Sequence, residues 1–219
     1  MVYRRTEKVE ARQAQLRQTL LNSALQLVAE GGFGALTIVE LAQRAGIATG
    51  TVYKYFDSKA QLCAEVFTLG TEKELARVRE KALAEGPASQ RLLNAVESFA
   101  VRAIRGRRLA YALIAEPVDP QVDTQRLKYR QAYAQIFQQL VEDGIRRGEF
   151  PPQEAAVSAA ALVGVIAEAL VGPLTWPLDG SDAVIDQPRL IEAIQTFCLR
   201  AVAGSNAPAG APRPGQRMP

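Results

Sequence analysis

Thr37-Ile-Val-Glu-Leu-Ala-Gln-Arg-Ala-Gly46-Ile-Ala-Thr-Gly-Thr-Val-Tyr53-Lys-Tyr-Phe-Asp-Ser-Lys59 sets two short helical patterns on either side of a glycine. Thr37 followed by Glu40 has the spacing of a capping box, in which the hydroxyl accepts from the Glu40 N–H and the carboxylate reaches back to the Thr37 N–H. Ile38, Leu41, Ala42 and Ala45 recur at three- and four-residue intervals, the stripe of a helix buried on one side. Gly46 stands where a left-handed residue ends a helix without a Cβ clash, and Ile47 follows as a buried anchor in the turn. The second helix is expected to start near Thr49 and to keep Val52 and Phe56 inward. That leaves Thr49, Gly50, Thr51, Tyr53, Lys54 and Tyr55 on its N-terminal and outward sides. Ser58 to Gln61 repeats the capping-box spacing and opens a further helix with Lys59 in its first turn. A cation there opposes the helix dipole, so an outside anion is expected to compensate it.

The outward residues suit a nucleic-acid duplex. Thr and Tyr hydroxyls donate to phosphate oxygens, a Thr methyl can touch a thymine methyl in the major groove, and Gly50 lets backbone approach closely. The bland alternative is an ordinary solvated helix. Two capping boxes, a turn glycine and helix-turn-helix spacing together favour DNA.

With these residues in place, Arg17 to about Val66 resembles the DNA-binding domain of the TetR family of bacterial transcriptional regulators. The resemblance runs without a gap through the amphipathic helix Leu20 to Glu30, its ending at Gly31-Gly-Phe33, Leu36 to Ile47, and Thr49 to Lys59. One departure is Ala48, where the family often has a capping Ser; losing such a cap costs about 0.5–2 kcal/mol, so Thr49 or water is expected to cover those N–H groups. The resemblance implies phosphate contacts from Thr37, Tyr55 and Lys59, with Thr49, Gly50, Thr51, Tyr53 and Lys54 facing the groove. Arg44 is a further candidate for backbone or base contact, or else a solvated helix-end cation. It also implies a dimeric, ligand-responsive repressor of a palindromic operator, its dimer interface a four-helix arrangement of the last two long helices of each subunit.

Charge distribution points the same way. Residues 1–60 hold eight Lys/Arg against five Asp/Glu, and the remainder balances, so the whole formal +3 sits on the helix-turn-helix end. Long-range attraction to a polyanion would draw that end in first. Residues 1–16 form a basic arm, in which Arg4, Arg5, Lys8 and Arg12, with Arg17 just beyond, outnumber Glu7 and Glu10. The arm either reaches along DNA or is a frayed terminus without fixed contacts. Hydrophobic content of 48% with 22% charged residues is an ordinary soluble balance. The two cysteines, Cys63 and Cys198, fit neither a disulfide framework nor a metal site and suit a reducing cytoplasm. The N-terminus lacks the apolar core of a signal peptide. The apolar run Val157 to Val171 is short for a membrane span, and Glu168 interrupts it.

Beyond Lys59 the chain continues in helical periods with no credible strand pair, so the expected fold is all-α. A three-helix DNA-binding domain over 17–66 precedes a larger helical ligand-sensing and dimerisation domain over 67–203. The charged stretch Glu72 to Glu85 reads as the solvated half of a connecting helix. Asp119 to Arg147 reads as a long helix with Leu127, Arg130, Tyr133, Ile136, Phe137, Leu140 and Ile145 on its stripe. The Ala-rich run bearing Ala155, Ala156, Ala159, Ala160, Val163, Ala167 and Leu170 is apolar on more than one side and needs neighbours on both. One neighbour is this chain's core; the other is a second copy, unless the helix is central in a monomer. Gly204 to Pro219, with four prolines and three glycines, reads as a disordered tail.

Phe99, Tyr111, Ile114, Tyr133, Phe137 and Trp176 are the large groups available to line a cavity for a small, largely apolar effector, although plain core packing explains each one singly. Glu116, Arg126 and Arg130 are possible polar anchors or surface ion pairs. No cofactor or metal is expected. An all-α enzyme is disfavoured because the chain has no histidine, no phosphate-binding glycine loop and no partnered cysteine nucleophile. A helical adaptor that ignores DNA would lack the steep salt dependence of a phosphate binder.

Overall fold

Apolar residues at helical spacing, punctuated by Ser, Asp, Pro and Gly at the ends, leave little room for anything but helices. The computed structural model describes residues 2–175 and 186–204, and among these every regular element is helical. In chain order they are α1 (Val2–Gly31), a 3₁₀ turn (Phe33–Ala35), α2 (Ile38–Arg44), α3 (Thr49–Val52), α4 (Lys59–Ala82), α5 (Ala88–Arg105), α6 (Arg107–Ile114), α7 (Pro120–Arg146), α8 (Ala155–Leu174) and α9 (Gln187–Ala203). The expected tail, apart from Gly204, and the expected cavity residue Trp176 lie outside the described residues.

Two apolar cores form. The first gathers Leu20, Leu27 and Val28 of α1, Leu41 of α2, Val52 and Phe56 around α3, and Leu62 and Phe67 of α4. Ala112 of α6 and Val122 of α7 also belong to it, so the second half of the chain closes the first core. The second core packs α5, α7, α8 and α9 around Val96, Phe137, Leu140, Leu162 and Ile194. One helix serves both: α4 gives Leu62 and Phe67 to the first core and Val78 and Ala82 to the second. The expected boundary between 17–66 and 67–203 therefore falls inside one continuous helix, α4. The stretch read as the solvated half of a connecting helix buries Val78 and Ala82 on one side.

Three local readings need correction. Thr37 caps α2 by accepting from the Glu40 N–H at 3.0 Å, but its own N–H donates to Ala35 O, so the box is only half formed. At the start of α4, Ser58 accepts from Gln61 N at 3.1 Å, while the Gln61 carboxamide oxygen accepts from Asp57 N, one residue earlier than expected. On α7, Leu127 is 68% exposed, because Val122, Arg126, Tyr129 and Tyr133 make the inward row and Leu127 falls off it.

The basic arm is helical from Val2 and continuous with α1, and it is exposed from Lys8 to Gln15. Arg17 is not part of a free arm. Its guanidinium pairs with Glu65 of α4 at 2.5 Å and lies 5.0 Å over the Phe56 ring, tying α1 to the helix-turn-helix. In the second core, buried Arg91 donates to the Asp143 carboxylate and to Ala82 O, joining α5, α7 and the end of α4. Glu149 caps α5 by accepting from Ala88 N and Ser89 N at 2.9 and 3.1 Å.

Candidate nucleic-acid interface and ligand cavity

Gly46, at φ 65°, turns the chain after α2, and the Ile47 N–H closes the turn on Ala42 O at 3.0 Å. Half-buried Ile47 packs against the first core as the anchor of the turn. Val52 and Phe56, 0% and 1% exposed, then fix the rotation of α3. This rotation leaves Thr49, Gly50, Tyr53 and Lys54 in solvent, with Tyr53 55% exposed. Thr37 and Lys59 are exposed as well, while Thr51 and Tyr55 are half-buried and Tyr55 packs against the core. No side chain caps α3 at Ala48, and the Thr51 N–H turns back to Ala48 O. Arg44 is held by Glu30 in a two-pronged pair at 2.8 and 2.7 Å, which raises the pKa of Arg44 and lowers that of Glu30.

The turn before α2 is also held from the far half of the chain. Glu116, in the segment after α6, accepts from Phe33 N at 3.0 Å and Gly34 N at 3.3 Å. Gly32 (φ 77°) lies against that carboxylate, where a Cβ would stand 2.5 Å from Oε2. Glu116 therefore faces the DNA-binding part and does not line the cavity, as its reading as a ligand anchor required. Arg126 of α7 holds the same segment, donating to the carbonyls of Leu113 (3.0 Å), Ala112 (3.2 Å) and Glu116 (2.9 Å). Nothing local in the sequence marks either contact.

A cavity of about 110 Å³ lies among α4, α5, α6, α7 and α8. Phe99, Ile114, Tyr133 and Phe137 line it, as expected, and the Phe99 and Tyr133 rings meet edge to face at 5.9 Å. Burial pushes the Tyr133 hydroxyl well above its ordinary pKa, so it stays a neutral donor. Tyr111 does not line the cavity; it packs against the second core. Sequence reasoning missed Phe67, Thr71, Leu113 and Tyr129, which also line it. Phe67 and Thr71 of α4, Leu113 of α6 and Tyr129 of α7 stand at helical spacing from other wall residues, but nothing in the sequence separated cavity wall from core. Among the charged residues of the wall, Glu74 is taken up by Arg102 at 2.6 and 2.5 Å, leaving Arg126 and Arg130. Burial raises the Cys63 thiol and brings Cys198 to about 11, so neither is a nucleophile near neutrality. Among the described residues no group of three His, Cys, Asp or Glu side chains is placed to hold a metal ion.

Helix α8 turns Ala155, Ala159 and Leu170 into its own core and leaves Val163 and Ala167 half-buried. Ala156, Val157 and Ala160 are exposed, Val157 at 65%, and Phe197 on α9 is 58% exposed. At 20 residues and a mean hydropathy of 2.0, α8 is long and apolar enough to span a bilayer, contrary to the reading of its central run as too short. It packs instead against α7, α9, α5 and α6.

Comparison with known proteins follows the same division. Residues 20–66 match "Bacterial regulatory proteins, tetR family", and residues 85–170 match "Tetracyclin repressor-like, C-terminal domain". The HTH-type transcriptional repressor KstR2 of Rhodococcus jostii is 29% identical over 138 residues, which is 61% of this chain and 67% of that protein. The HTH-type transcriptional repressor KstR of Mycolicibacterium smegmatis is 35% identical over 80 residues, 36% of this chain and 39% of that one. In fold, the chain is similar to the transcriptional regulator FadR of Bacillus subtilis, solved in complex with stearoyl-CoA. The TM-score is 0.70 at 19% identity, over 84% of this chain and 98% of that one.

Proposed function

Given that this chain belongs to the TetR family of bacterial regulatory proteins, which are regulators of transcription and not enzymes, we propose that it is a dimeric repressor. It releases a palindromic operator when a largely apolar effector enters the cavity. The observation that carries this reading is the exposed row Thr49, Gly50, Tyr53 and Lys54 on α3 and the turn that follows it, fixed from behind by Val52 and Phe56. These four residues, with half-buried Thr51, face the major groove; Thr37, Tyr55 and Lys59 hold phosphates. Lys59 then receives the anion that its position in the first turn of α4 calls for. Arg44 reaches DNA only by exchanging Glu30, and it is the weakest of the set. The arm of residues 1–16 extends the basic surface.

The second copy docks on the face of α8 and α9 that carries Val157, Ala160 and Phe197. Small residues there allow close helix approach, and a two-fold axis places two copies of α3 to read two half-sites. The relatives named as repressors support the sign of regulation. The effector reading rests on the cavity, whose volume of about 110 Å³ is below the roughly 300 Å³ at which drug-sized sites begin. An effector must therefore part α7 from α4 and α6 to fit. That coupling of occupancy to a change in shape is what ligand-driven release requires. Two buried free thiols fit a reducing cytoplasm.

Selection of binding sites from random DNA tests the reading. It should return a palindrome whose affinity falls steeply with salt, with the half-sites about one helical turn apart. Recovery of no sequence, or of single half-sites bound by monomer, would reject it.

A further inference from the structure

We propose that the effector is an amphipathic anion, and that Arg126 is the group that both binds its anionic end and transmits its arrival to the DNA-binding part. This deepens the reading of the cavity as the effector site and rests on it.

The charge balance of the cavity wall comes first. Of its three charged residues, Glu74 is engaged by both prongs of Arg102. Arg126 and Arg130 stand one turn apart on α7; burial above all, and also the Arg130 charge, lower the pKa of Arg126. Arg126, with a side chain only 15% exposed, has a single carboxylate partner, Asp123 at 2.5 Å, itself 54% exposed. Arg130 has neither an ion-pair nor a hydrogen-bond partner among the described residues. The wall thus carries two cations, Arg126 paired only with the solvent-facing Asp123 and Arg130 exposed, and no uncommitted carboxylate. A planar guanidinium fork fits the oxygens of a carboxylate or a phosphate, and the aromatic and aliphatic wall takes the rest of the molecule.

The transmitting step follows from what Arg126 already holds. Its Nε and Nη2 satisfy the carbonyls of Ala112, Leu113 and Glu116, at the end of α6 and just beyond. The carboxylate of Glu116 is bonded to Phe33 N and Gly34 N, in the turn from which α2 starts. A guanidinium turned toward an anion in the cavity gives up part of this carbonyl set. The segment carrying Glu116 then loosens, and with it the seating of α2 and α3. Glu116 is thus a positioning residue for DNA binding, acting through the turn.

Dodecanoate, dodecanoyl-CoA and dodecanol test this by calorimetry and by release of a fluorescent operator. One or both anions should bind at least about tenfold tighter than the alcohol; which of them does so separates carboxylate from phosphate recognition. Arg130→Gln and Arg126→Lys should shrink that margin to less than about threefold while dodecanol binding is kept. Glu116→Ala should weaken operator binding about tenfold and, by reciprocity, tighten the anion. Glu116→Gln, which keeps one acceptor oxygen, should restore part of both. A margin unchanged in the arginine variants, or dodecanol binding as well as the anions, overturns the anion site while the effector cavity stands. Binding of none of the three overturns both readings. If Glu116→Ala weakens DNA binding without tightening the anion, Glu116 is only structural and the transmitting step is wrong.

Discussion

At the scale of single residues, the interface depends on side chains that the core cannot use. Val52 and Phe56 take the inward positions, and Tyr53 and Lys54 are left with nowhere to go but solvent. Lys59→Ala, which removes a phosphate contact, should weaken operator binding across sequences and reduce the slope of log affinity against log salt by about 1. Tyr53→Ala should cost about 1–3 kcal/mol of operator binding. A parental salt slope and affinity in both variants would remove them from the interface. Gly32→Ala should be more damaging than its size suggests, since it places a methyl group against the Glu116 carboxylate at a positive φ. We expect operator affinity to fall in gel-shift assays with the helical content unchanged by circular dichroism. These exposed positions were legible from spacing alone, because burial of Val52 and Phe56 dictates where their neighbours point.

At the scale of elements, caps and one ion cluster decide where helices begin and how they meet. Thr37→Ala removes the hydroxyl that accepts from Glu40 N and should cost about 1 kcal/mol in denaturant unfolding. The second core is pinned by Asp143. Hydrogen bonds from Arg146 above all, then from Arg91 and Arg147, hold its carboxyl at about 2. Arg91 is 5% exposed, so Asp143→Ala leaves a desolvated guanidinium without its anion and should cost about 3 kcal/mol. The sign with pH is fixed by the lowered value. The contribution is complete above the unfolded aspartate value of about 3.9 and is lost as pH falls toward about 2. Unfolding curves of the parent should therefore steepen in their pH dependence across that window more than those of Asp143→Ala. The helix starts were readable because capping is local. The partner of each cap was less so: the N–H groups of Thr37 and Ser58 were each expected to be reached by a side chain, yet Thr37 donates to Ala35 O and Gln61 reaches Asp57 N.

At the scale of the whole molecule, α8 and α9 present an apolar face, with Val157 and Phe197 exposed, that the other described residues do not cover. Val157→Asp combined with Phe197→Asp puts two charges on it. Sedimentation should then give a monomer whose affinity for a full palindrome falls to that for a half-site. A dimer that survives this change would place the interface elsewhere. The same face explains why composition alone misleads: a helix of hydropathy 2.0 passes for a membrane span until its packing against α7 and α9 is seen.

Periodicity, caps and the Gly46 turn were enough to specify an all-helical chain, a helix-turn-helix and its outward residues other than half-buried Thr51 and Tyr55, because each is a relation between neighbours a few positions apart. The tie between the two halves is of another kind. Glu116 meets Phe33 across 83 residues, and Arg126, Glu74 and Arg102 reach their places only when α4, α5, α6 and α7 pack. Such contacts leave no local pattern: a charged residue on a helix reads the same whether it faces water, a distant backbone amide or a cavity. Which of these it faces is decided by the burial of apolar neighbours on other helices, and that is settled only by the tertiary fold.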